Sequence, residues 1–161
     1  MNREIRFGVL TVSDRASRGE QEDLGGPAVA QGLERAGWTV STSAVVPDDA
    51  ERIAEMLREW SDEQRLDVIL TTGGTGLGPR DVTPEATLRV ADREVPGIAE
   101  ALRAASLAET PQAMLSRGRA ALRGTTLIIN LPGSPRGASF GVDVLRPVLE
   151  HAVATIHGSR H

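Results

Sequence analysis

The chain has 161 residues, 40% hydrophobic and 25% charged, the balance of an ordinary globular protein with enough length to bury a core. Its formal net charge of −4 argues against binding nucleic acid by phosphate neutralisation, and two Phe, two Trp and no Tyr leave little to stack bases on. No apolar run approaches the roughly 20 residues that cross a bilayer, no leader-like segment opens the chain, and Cys is absent, so a cytoplasmic protein without disulfides or thiolate chemistry is expected.

Residues 5–12 form a short apolar run that ends at polar Ser13-Asp14-Arg15, the pattern of a buried strand entering a loop. Residues 17–26 are polar and glycine-rich and read as loop. Pro27 suits the first turn of a helix that carries Val29 and Leu33 and closes at Gly37. Residues 38–46 alternate loosely as a second strand, stopped by Pro47-Asp48-Asp49, and Ile53, Met56, Leu57 and Trp60 follow at helical spacing. Aspartate favours the N-cap, so one of Asp48 and Asp49 is expected to cap that helix and the other to stay free.

A third strand, residues 66–70, runs into Thr71-Thr72-Gly73-Gly74-Thr75-Gly76. Thr83-Pro84-Glu85 then reads as the N-cap, first turn and early acid of a helix, and residues 98–107 as another helix after Pro96-Gly97. Residues 125–131 make a fourth strand ending in Pro132-Gly133-Ser134-Pro135. The last helix shows Val142, Leu145, Leu149, Ala152, Val153 and Ile156 on one face. Strands alternating with helices, without repeat or linker, predict one α/β domain over residues 1–161, with a mostly parallel sheet covered on both faces.

Ligands of open α/β sheets gather beyond the C-terminal ends of the strands, so the four strand-end loops are expected to share one rim. Glycines at 73, 74, 76 and 78 let backbone N–H groups approach an anion, although such a loop by itself is equally an ordinary tight turn. Its spacing is not that of a dinucleotide fingerprint. All 18 basic residues are Arg, which rules out a Walker A loop and a Schiff-base lysine. Asp81, close behind the glycines, is placed to bring Mg²⁺ to a phosphate, with Asp48 or Asp49 as a second carboxylate. Ser13-Asp14 can hydrogen-bond a base or sugar as readily as form an Asx turn. His151, His157 and His161 are not spaced as metal ligands and read as solvent-facing or frayed, while Trp38 and Trp60 are expected to fill the core.

Five loops in order resemble one family: Ser13-Asp14-Arg15, Pro47-Asp48, Thr72-Gly73-Gly74-Thr75-Gly76, Arg80-Asp81-Val82-Thr83-Pro84 and Asn130-Leu131-Pro132-Gly133-Ser134-Pro135. They are similar to the molybdopterin-binding family, particularly its MogA-type molybdopterin adenylyltransferases and the related G domains of plant and animal molybdenum-cofactor proteins. Ala113-Met114-Leu115-Ser116-Arg117 and Leu127-Ile128-Ile129-Asn130 extend the match nearly end to end.

The resemblance implies a three-layer α/β/α sandwich, usually trimeric, that forms adenylyl-molybdopterin and pyrophosphate from molybdopterin and MgATP. It places the catalytic, Mg²⁺-holding aspartates at Asp48 and Asp81, and the pterin ligand at Thr75, Ser106, Ser116 and Asn130. The nucleotide would meet Ser13, Asp14, Gly73 and Gly74, with Gly76 and Pro132-Gly133-Ser134 completing the ligand loops. It further implies small-molecule substrates, handover of product to a molybdenum insertase, and no nucleic acid or membrane. The family also holds compact MoaB-type members, some with a degraded aspartate loop, so an idle molybdopterin-binding or scaffold module is the alternative. Here Arg80-Asp81-Val82-Thr83 is intact, and the chain has Ser-Asp-Arg where a nicotinamide-nucleotide relative has Gly-Asp-Glu.

Overall fold

A computed structural model describes residues 3–159; His161 lies outside them. In chain order the strands are β1 (Phe7–Val12), β2 (Val40–Val46), β3 (Val68–Thr72), β4 (Arg93–Glu94), β5 (Ala120–Arg123) and β6 (Thr126–Leu131). The helices are α1 (Asp14–Ser17), α2 (Gly25–Arg35), α3 (Ala50–Arg58), α4 (Thr83–Val90), α5 (Pro96–Leu107) and α6 (Pro135–Ile156). The sheet runs β2-β1-β3-β6-β5-β4. β2, β1, β3 and β6 are parallel, as their sequences predict, and β5 and β4 add an antiparallel edge that the sequence reading missed. Both edge strands are too short for a period-2 pattern to declare itself.

The central strands β1, β3 and β6 are buried along their whole length, whereas edge strand β2 alternates, because only parallel strands between two helical layers lose water on both faces. Odd and even residues of β1 therefore feed separate cores. Phe7 and Val9 join Val29 and Leu33 of α2 and Leu145 and Leu149 of α6 on one face. Leu10 and Val12 join Ile53 and Leu57 of α3 and Val90 of α4 on the other. The result is the expected three-layer sandwich. Each fully buried Leu, Ile or Phe in these layers contributes about 1.5–3 kcal/mol through lost apolar hydration.

Both tryptophans serve packing. Trp60, in a π-turn that continues α3, is buried against Gly8, whose missing Cβ would lie 2.8 Å from the indole. Trp38 leans on Phe7 with ring centroids 5.2 Å apart. Two loop expectations need correction. Residues 14–17 form a helical turn capped by the Ser13 hydroxyl, and α2 begins at Gly25, two residues before Pro27. The early start follows from Asp23, whose carboxylate accepts from Gly26 N and from the Thr11 hydroxyl.

Candidate active site

The chain leaves β1 toward α2 on one face and leaves β3 toward α4 on the opposite face. Neighbouring strands whose connections diverge in this way open a crevice at their C-terminal ends, where open α/β sheets take their ligands. The loops after β1, β2, β3 and β6 do meet there. Ser13 N donates to Val46 O, Gly73 N to Leu131 O, and the Thr72 hydroxyl to Pro132 O.

Gly73 and Gly74 hold left-handed backbone, with φ of 103° and 70°. A Cβ on Gly73 would stand 2.3 Å from Val12 O, and one on Gly74 would stand 2.2 Å from the Thr83 hydroxyl and 3.2 Å from Asp48 Oδ1. Glycine is thus required twice over, by torsion and by space. Thr83 locks the turn by donating its hydroxyl to Gly73 O. This corrects the sequence reading, in which Thr83 caps α4: it is the first helical residue, and no side chain caps that helix.

The paired aspartates divide their duties. Asp49 caps α3, accepting from Glu51 N and Arg52 N. Asp48 turns to the rim, where its Oδ2 accepts from Asp14 N while Asp48 N donates to Asp14 Oδ1. Arg80 binds both oxygens of Asp14 at 3.1 Å, and this hydrogen bonding holds the Asp14 carboxyl below its ordinary range. Asp48 is shifted the other way. Burial pushes its carboxyl up, the Asp14 N–H resists, and the negative charges of Asp14 and Asp81 add to the rise. Among the described residues Asp81 is tied at one oxygen, Oδ2, which accepts from Gly78 N.

Beside this acidic shelf opens a cavity of about 790 Å³. Gly74, Thr75, Gly76 and Asp81 form one wall, Ser106 and Ser116 another, and Asn130, Pro132, Gly133 and Ser134 the base. Ser13, Asp14, Gly73 and Asp48 do not line it; they lie behind the glycine turn, with Gly74 between Asp48 and the cavity. The candidate residues therefore occupy two compartments that meet at Gly74 and Asp81. Ser134 also caps α6 by accepting from Gly137 N, which presents the positive end of a 22-residue helix to the cavity. Asn130 bounds the space with an amide turned inward: Nδ2 donates to the Thr71 and Thr87 hydroxyls, and Oδ1 accepts from Arg119 N. Its geometry fixes the wall.

The donor set suits a hard cation. Mg²⁺ commonly takes one or two carboxylates and completes its shell with water and ligand phosphates. Asp48 and Asp81 each leave an oxygen without a protein donor among the described residues, crowded by like charge. The described residues hold no cluster of three or more side chains that would make an all-protein metal cage. Sequence reasoning gave no role to Arg80, which neutralises Asp14, or to Arg117, whose side chain reaches Gly76 O 41 residues away. Only the Arg80-Asp81 adjacency hinted at the first. His157 also departs from expectation, since its Nε2 lies 3.0 Å from the buried carboxylate of Asp67.

A family model described as "Probable molybdopterin binding domain" matches residues 8–151. The chain is 46% identical over 156 residues to the molybdopterin adenylyltransferase of Escherichia coli K12, covering 96% of this chain and 79% of that protein. It is 42% identical over 153 residues to the molybdenum cofactor synthesis protein cinnamon of Drosophila melanogaster, covering 94% of this chain but 26% of that longer protein. The crystal structure of the molybdopterin biosynthesis enzyme MoaB from Thermus thermophilus superposes with a TM-score of 0.90 at 50% identity, covering 96% of this chain and 98% of that one. The chain belongs to the molybdopterin-binding domain family.

Proposed function

We propose that this protein, acting as a single domain, is a molybdopterin adenylyltransferase: it transfers AMP from MgATP to the terminal phosphate of molybdopterin and releases pyrophosphate. The observation that carries this reading is the pair Asp48, behind the glycine turn, and Asp81, on its cavity side, each with an oxygen that no donor among the described residues claims. A passive binder of an anionic ligand would gain nothing from two such acids, which repel phosphate unless a cation intervenes.

Within this reading the molybdopterin phosphate oxygen attacks the α-phosphorus of ATP, and the bond to the pyrophosphate oxygen breaks. The attacking group is already anionic, so no general base is needed, and the site contains neither His nor Lys. Bound Mg²⁺ would neutralise the phosphate charge, held by Asp48 and Asp81. Gly73 and Gly74, with Ser13 and Asp14, are assigned to the nucleotide. Thr75, Ser106, Ser116 and the Asn130 wall are assigned to the pterin, with Gly76 and the Pro132-Gly133-Ser134 turn at the α6 N-terminus steering phosphate into line.

Purified protein mixed with molybdopterin and MgATP should release pyrophosphate and adenylylated pterin, and ATP binding should weaken when Mg²⁺ is chelated. Tight molybdopterin binding with no pyrophosphate would instead favour an idle binding module of the MoaB type. We further propose a cytoplasmic homotrimer that passes its product to a molybdenum insertase; the exposed Leu77 and Met114 offer apolar surface for a subunit contact. Light scattering that gives only monomer at micromolar concentration would remove the trimer.

A further inference from the structure

We propose that Arg117 is a positioning residue for the transfer, clamping the Gly76–Asp81 loop so that the Asp81 carboxylate faces the cavity. The inference rests on the adenylyl-transfer reading. Arg117 Nε donates to Gly76 O at 2.7 Å, Nη2 donates to Asp81 O at 2.7 Å, and Nη1 pairs with Glu85 of α4. Its backbone N donates to Thr75 O at 2.8 Å. One residue thus grips the loop at both ends and the helix that follows it.

Besides Arg117, the loop is held to the rest of the fold by the solvent-exposed pair of Arg80 with Asp14. Its own bonds are Asp81 N to Gly78 O and Gly78 N to Asp81 Oδ2, and the second of these uses the carboxylate itself. Two glycines raise the entropy lost when the loop orders. A planar guanidinium meets acceptors in three directions at fixed angles; a lysine ammonium at the same place would reach one or two of them. Arg117 does not line the principal cavity, so it touches no substrate there, but its neighbour Ser116 does. The clamp therefore joins the wall assigned to the pterin to the carboxylate that would hold Mg²⁺.

The test uses the full chain with Arg117→Ala and Arg117→Lys. In the ligand-free protein, amide hydrogen exchange across residues 76–82 should quicken by about tenfold or more in Arg117→Ala, with β3 and β6 unchanged. The Mg²⁺ concentration for half-maximal pyrophosphate release should rise about tenfold, with a lower kcat and little change in the KM for molybdopterin. Arg117→Lys should fall between native and Ala on both readouts. A folded variant with native exchange in the loop and a native Mg²⁺ requirement overturns the clamp. Should Arg117→Ala not fold, Arg117→Lys decides by the same two readouts. Native protein that releases no pyrophosphate refutes the adenylyl-transfer reading alone, because loop exchange judges the clamp without turnover.

Discussion

At the start of β3, Asp67 is 1% exposed and surrounded by donors: Arg3 and His157 on Oδ1, Arg6 N on Oδ2. At the opposite end of the sheet, half-buried Asp48 has one backbone donor and two aspartates for neighbours, offset only in part by the charge of Arg80. Burial is costly for any carboxylate, and the fold supplies what Asp67 needs while leaving Asp48 short. On the proposed reading, the contrast separates an acid that holds the structure together from one whose missing partner comes from outside. Conventional helices and turns build both ends; the supply of donors distinguishes them.

The sharpest way to break the comparison is Asp48→Ala. If Asp48 is the under-supplied acid of a phosphate-transfer site, the variant should fold, lose pyrophosphate release by orders of magnitude, and bind molybdopterin equally or more tightly. Calorimetric titration together with a pyrophosphate assay checks all three; retained turnover would return Asp48 to an ordinary loop residue. Asp81→Asn should likewise abolish most turnover while molybdopterin still binds.

Asp67→Ala should do the reverse. Removing the acid leaves the Arg6 N–H, the Arg3 guanidinium and the His157 ring without their acceptor, at a cost of about 3 kcal/mol in denaturant unfolding. Activity per folded molecule should survive. His157→Ala should cost less, about 1 kcal/mol, because Arg3 and Arg6 N still satisfy the carboxylate.

The smallest effect lies in the pH dependence of stability. The Asp48 pKa is raised in the folded state, so the native protein binds that proton more tightly than the unfolded chain does. Its contribution is therefore fully present below the ordinary carboxylate pKa and is lost as pH rises through the folded value. Asp14, held low by Arg80, contributes in the opposite sense and fades as pH falls. Asp48→Asn should thus be more stable than native protein near neutral pH, with the difference shrinking in acid. Equal stability of the two proteins across that range would mean that burial and like charge do not strain Asp48.

Much of this architecture was legible before any coordinates. The continuous apolar runs of β1, β3 and β6 announced strands buried on both sides, and the Val142-to-Ile156 stripe announced the last helix. These are local signals, set by residues a few positions apart. The strand-end loops also declared themselves by composition, since glycine, proline and aspartate are what tight turns and helix caps demand. Among the paired acids the sequence settled that one of Asp48 and Asp49 would cap α3 and the other stay free. Spacing did not say which, and only the family resemblance pointed to Asp48 as the free one.

Tertiary structure decided the rest because the deciding contacts join distant residues. Asp48 faces the rim because it trades hydrogen bonds with Asp14, 34 positions earlier, and Asp49 is left to the helix. Thr83 locks Gly73 and leaves α4 without a side-chain cap because the turn folds back across ten residues. Asn130 turns its amide into the fold because Thr71, Thr87 and the Arg119 backbone converge there. Sequence by itself determined the layers, the glycine turns and the acids available to them. Which oxygen is satisfied and which is left for a ligand depends on where a donor from another strand or helix arrives, and no local pattern encodes that.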